Sequence, residues 1–106
     1  MSIKTYDKAK WHFPDGTCPT LGQALAHFKA VINWLDERAL LSEYGKQLAT
    51  FTIGSDFALT SEMLTDEGNE ILSVGYDKWL KTLRYGDSVD TALLEATRMK
   101  LREKKT

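Results

Sequence analysis

The chain has one cysteine, two histidines and two prolines among 106 residues, and each scarcity closes off a class of protein. A single thiol, Cys18, cannot form an internal disulfide, which fits a reducing compartment. No apolar run approaches the roughly 18 residues that a membrane-spanning helix needs. Met1-Ser2-Ile3-Lys4-Thr5 lacks the apolar core of a signal peptide, so a cytoplasmic protein with no membrane association is expected. Excess charge of one sign is also missing. Fourteen Lys and Arg against fifteen Asp and Glu leave a formal net charge of −1, whereas a dedicated nucleic-acid binder carries a basic face. No phosphate-cradling glycine loop, nucleophile elbow or paired-histidine helix occurs.

What is present begins in the first thirteen residues. Tyr6, Trp11, His12 and Phe13 crowd an otherwise polar terminus. Ordering backbone costs about 1–2 kcal/mol per residue, and burying large rings offsets that cost. Residues 1–19 are therefore predicted to form an aromatic arm docked on the body of a single domain, 1–106.

The body reads as mainly α, with α+β as the alternative: a compact three- to four-helix domain with one short β-hairpin near 50–60. Thr20 is a good N-cap, and Leu21, Leu25, Phe28, Ile32, Leu35 and Ala39 fall at helical spacing, predicting a helix over 20–41 that runs to about Leu40. Residues 41–48 add a turn or short helix, with Gly45 a break. Over 49–60, Ala49-Thr50-Phe51-Thr52-Ile53, Gly54-Ser55-Asp56 and Phe57-Ala58-Leu59-Thr60 read as strand, turn and strand. A second long helix, 66–85, is capped at Thr65 or Asp66 and presents Ile71, Leu72, Tyr76, Trp79, Leu80 and Leu83. Gly68 and Gly75 within it imply close packing against a neighbour. The last helix, 88–104, is capped by Ser88 and is expected to bury Val89, Ala92, Leu93, Ala96 and Met99.

Two constellations are candidates for function. His27, Val31, Trp34 and Arg38 form one ridge at steps of four, three and four. With Tyr6, Trp11 and His12 of the arm over that ridge, Tyr6, Trp11, His12, His27, Trp34 and Arg38 become binding candidates, in a semi-polar cleft or as sealed core. The second is an acidic face of Glu62, Asp66, Glu67 and Glu70 suited to a basic partner, although acids at a helix start also follow from the helix dipole. A zinc site from His12, Cys18 and His27 would lack a fourth ligand and the paired spacing of such sites. No catalytic set, no metal and no cofactor is expected.

The heptapeptide Tyr6-Asp7-Lys8-Ala9-Lys10-Trp11-His12 resembles the opening signature of a family of small bacterial domains of unknown function. The resemblance continues through His27, Trp34-Leu35, Leu40-Leu41-Ser42-Glu43 and Leu64-Thr65-Asp66-Glu67-Gly68-Asn69, spanning residues 6 to about 80. It implies a bacterial domain and brings no activity, substrate or cofactor. Phe13 to Leu21 is compressed relative to that family, and residues 50–59 are more strand-like. The function expected is a non-enzymatic protein-interaction domain, immunity-like or regulatory, with another protein as partner and homo-oligomerisation left open. The alternatives are a winged-helix-like nucleic-acid binder, disfavoured because Gly54-Ser55-Asp56 offers no basic residue, and a small-molecule-binding domain using the aromatic and histidine cleft.

Overall fold

A computed structural model describes residues 3–13, 16, 19–49, 54, 57–83 and 89–104. Its elements are β1 (Thr5–Lys8), α1 (Leu21–Glu37), α2 (Glu43–Ala49), β2 (Ala58–Thr60), α3 (Asp66–Leu80) and α4 (Ala92–Lys104), with single 3-10 turns at Ala9–Trp11 and Ser61–Met63. The mainly α domain with a short antiparallel β element is thus the observed architecture. No helix among the described residues is long and apolar enough to cross a membrane.

Both long helices start where their capping residues place them. Thr20 Oγ1 accepts the Gln23 amide and Thr65 Oγ1 accepts the Gly68 amide, each satisfying one of the amides left free in a first turn. Leu25, Phe28, Ile32 and Leu35 of α1 meet Ile71, Leu72, Tyr76 and Trp79 of α3 in one buried core. The α1 helix stops three residues short of Leu40. Ala39 adopts a positive φ of 57°, its amide bonds to Asp36 O and the Leu40 amide to Leu35 O, the pairing of a Schellman end.

The β element joins distant parts of the chain. β1 and β2 are antiparallel, with Thr5 opposite Thr60, Asp7 opposite Leu59 and Lys8 opposite Ala58, and the register shifts at Tyr6. The pairing extends outward through Ser61 N to Lys4 O and Ala9 N to Phe57 O. Residues 58–60 of the expected hairpin are therefore a strand, and their observed partner is the arm. Residues 50–53 and 55–56 lie outside the described residues, as does Ser88. This pairing docks the arm.

Three local expectations are corrected. Gly45 does not break a helix; it lies inside α2, where a Cβ would stand 2.0 Å from Met63 O. Its bare backbone lets the short helix approach the Ser61–Met63 turn. The second long helix ends at Leu80 and the last one starts at Ala92 rather than near 88, with Asp90 Oδ1 accepting the Ala92 amide. The buried face of α4 is also rotated. Leu94 is fully buried, while Leu93 and Met99 are exposed. Thr97 sits against Gly75 and Arg102 against Glu67, so α4 runs antiparallel along α3 and small Thr97, not Met99, fits the contact.

Candidate functional site

The side chains with the most chemistry converge beneath the arm. Asp7 comes from β1, His12 from the turn after Ala9–Trp11, His27 from α1 and Tyr76 from α3. Asp7 is the buried residue of the strand, with partly buried Tyr6 and Lys8 on either side, and the register with β2 shifts beside it, between Thr5 and Asp7. Asp7, His12, His27 and Tyr76 are 2, 8, 3 and 1 % exposed. A buried carboxylate of this kind must be paired and hydrogen-bonded.

It is. The Tyr76 hydroxyl donates to Asp7 Oδ2 at 2.7 Å. His27 Nε2 lies 3.1 Å from the same oxygen, and His12 Nε2 lies 2.8 Å from both Oδ1 and Oδ2. The Lys8 amide donates to Oδ1 at 2.8 Å. A carboxylate only accepts, so each imidazole carries its hydrogen on Nε2 in this arrangement. The two imidazoles meet edge-on with centroids 4.6 Å apart, over Phe28 and beside Trp79.

Burial alone would push the Asp7 carboxyl up. The hydrogen bonds from His27, His12 and Tyr76, with the charge of His12, outweigh it and hold Asp7 below its ordinary value. Tyr76 moves the other way. Burial raises its phenol strongly, and the Asp7 charge and hydrogen bond, with Asp77 behind them, add to the rise. The cluster is therefore a buried carboxylate that accepts from both imidazoles and from the phenol.

The other predicted site residues are distributed elsewhere. Tyr6 is half-buried and its hydroxyl donates to Asn69 Oδ1 at 2.7 Å, a second clasp between the arm and α3. Trp11 is 47 % exposed, with Lys8 Nζ 5.7 Å from its ring. Trp34 is buried under the Arg38 guanidinium, 4.8 Å away, and Arg38 pairs with Glu95 of α4. The expected cleft of two histidines and two indoles thus separates. The histidines turn inward to Asp7, Trp79 supplies the indole beside His27, and Trp34 lines a cavity of about 230 Å³ with Ala30, Asn33, Glu37, Arg38, Val89 and Thr91. On the acidic face, Glu62 and Asp66 are exposed. Glu67 is paired with Arg102 at 3.2 Å and Glu70 is half-buried.

This chain matches no family model, no curated protein and no solved structure. Its chemistry rests on its own geometry. Asp7, His12 and His27 place a carboxylate oxygen and two imidazole nitrogens within 4.8 Å of one another. Asp7 is the ligand type that His12, Cys18 and His27 lack as a set; Cys18 lies outside the described residues. Neither Asp7 nor Tyr76 is marked by spacing. Asp7 alternates with Tyr6 and Lys8 like any strand residue, and Tyr76 reads as one member of an apolar stripe.

Proposed function

We propose that this chain is a non-enzymatic protein-interaction domain, immunity-like or regulatory, whose recognition surface is built on the clasped arm. The observation that carries the reading is Trp11. It is 47 % exposed although Ala9 and His12, on either side of its turn, are 0 and 8 % exposed. The backbone beneath the indole is thus tied down by the sheet and the Asp7 cluster. A large ring presented on pre-ordered backbone loses little entropy on association, and tryptophan is enriched among residues that dominate binding energy. The arm also leaves Ile3 59 % exposed. Ser61 bonds to Lys4 in both directions and the next residue, Glu62, is exposed, which favours a partner with a basic rim around an apolar pocket. A domain of the small bacterial family that the heptapeptide resembles fits this role.

The test is capture from native lysate by the tagged full chain, comparing wild type with Trp11→Ala and with Glu62→Gln/Asp66→Asn. Circular dichroism checks the fold of each. One stoichiometric protein retained by wild type and lost with Trp11→Ala is the expected result. Equal capture by Trp11→Ala overturns the reading.

One observation favours a second reading, a small-molecule site away from the arm. The Trp34 indole N–H is buried without a hydrogen-bond partner among the described residues, and Trp34 lines the 230 Å³ cavity beside Arg38. A ligand with an acceptor oxygen would satisfy that group. A thermal-shift screen of small carboxylates and amides against wild type and Arg38→Ala separates this reading from the first.

A further inference from the structure

We infer that Asp7, His12 and His27 form a binding site for one divalent transition-metal ion, held by both imidazole Nε2 atoms and the Asp7 carboxylate, which staples the arm to α1. The donor set selects the class of ion. Two imidazoles with a carboxylate suit zinc and its first-row neighbours, while magnesium and calcium take oxygen ligands throughout. The carboxylate-to-imidazole separations lie close to those of such a site. Two ligand atoms about 2.0–2.1 Å from a shared zinc stand about 2.9–3.4 Å apart along an octahedral or tetrahedral edge. The observed Nε2 to Oδ2 separation is 3.1 Å for His27, inside that range, and 2.8 Å for His12, just short of it, with all three ligand atoms within 4.8 Å of one another.

Crowding at Oδ2 points the same way. Three donors, His12, His27 and Tyr76, are aimed at this one oxygen, which has two lone pairs. A cation in place of the two imidazole hydrogens removes the excess, with the imidazole protons moving to Nδ1. Two outer contacts are already in place: the Tyr76 hydroxyl on Oδ2 and the Lys8 amide on Oδ1. Such contacts orient a metal-binding carboxylate. His12 Nε2 faces both carboxylate oxygens at 2.8 Å, so Asp7 can chelate and fill two positions. With all three residues at most 8 % exposed, the site is of the closed, structural kind. The ion would bridge residue 7 in β1, residue 12 in the turn and residue 27 in α1, three segments that only the folded chain brings together.

The experiment uses the full chain without a polyhistidine tag, stripped with EDTA, and zinc chloride as the probe. The chain has two histidines, so long-range ¹H–¹⁵N correlation reads both ligands directly in wild type. The expected result is one zinc per chain, both Nε2 atoms losing their protons to Nδ1, and a Tm increase of at least about 5 °C at saturation. Magnesium gives no increase. Cys18→Ser binds as wild type, and His27→Gln loses more than roughly 100-fold in affinity, beyond the 10–100-fold typical of an outer contact. Should His27→Gln fail to fold, the wild-type spectra decide alone. Nε2 protons that persist in saturating zinc, or binding that disappears in Cys18→Ser, overturn the site and leave a metal-free hydrogen-bond cluster.

Discussion

Tyr76 donates a 2.7 Å hydrogen bond to Asp7 Oδ2, joining residues 69 apart in the chain. The acceptor is a buried anion on the arm and the donor is a buried phenol on α3. Each conditions the other: the hydroxyl helps hold the carboxyl in its charged form, and the charge helps keep the phenol protonated. The arm is thus docked by a polar lock as well as by strand pairing.

Breaking that lock should be costly on one side and milder on the other. Asp7→Asn leaves two imidazoles and a phenol competing for a neutral amide, and is expected to lower stability by about 3 kcal/mol. Tyr76→Phe removes one hydrogen bond to a charged group, worth about 1.5 kcal/mol. Urea unfolding followed by tryptophan fluorescence measures both. An Asp7→Asn midpoint indistinguishable from wild type would show that the cluster contributes nothing to the fold.

Ala39 holds the left-handed position at the end of α1, with φ of 57°. A side chain there costs about 1–2 kcal/mol, of which glycine gives back part as unfolded-state entropy. Ala39→Gly should therefore stabilise the protein by about 0.5–1 kcal/mol, read as a higher Tm in calorimetry. A lower Tm would place the loss of the exposed methyl above the relief of backbone strain.

Two helical glycines should respond oppositely to alanine. At Gly22 a Cβ meets nothing within 4 Å, so Gly22→Ala gains roughly 0.5 kcal/mol of helix propensity. At Gly45 a Cβ falls 2.0 Å from Met63 O, and Gly45→Ala must push α2 off the Ser61–Met63 turn. A loss of about 2 kcal/mol or more is expected from overpacking against backbone. Parallel thermal melts decide, and a shift of the same sign in both would be incompatible with the close approach.

Glu95 of α4 makes a pH-dependent contact with Arg38, the residue that caps the end of α1. Burial is the largest single influence and raises its carboxyl, but the hydrogen bonds from Arg38 and Arg98 and their charges together prevail, so its folded value lies below the ordinary one near 4.5. A depressed carboxyl stabilises fully above that ordinary value, and the contribution is lost as pH falls through the folded value. Its side chain is 32 % exposed, so solvent screening keeps the effect below about 1 kcal/mol. Glu95→Gln should flatten the stability profile between about pH 5 and pH 3 and leave its slope above pH 6 unchanged. An unchanged slope in the acid range would mean that the pair adds nothing to stability.

Features that depend on neighbours a few residues apart are legible in the chain. Thr20 and Thr65 mark their helix starts because a capping oxygen reaches only the next turn. The stripes of α1 and α3 are legible because a period of 3.6 puts Leu25, Phe28 and Ile32, or Ile71, Leu72 and Tyr76, on one side. Which stripe α4 buries is settled by packing between helices, where Thr97 sits against Gly75 and Leu94 is buried while Met99 is exposed. The tertiary structure likewise chose β1 as the partner of Ala58–Thr60, because strand pairing leaves no mark on the distance along the chain between partners. The site followed suit. His12 and His27 were visible as residue types, but the acid that joins them is one of fifteen, singled out only when the fold sets it between both imidazoles and the Tyr76 hydroxyl.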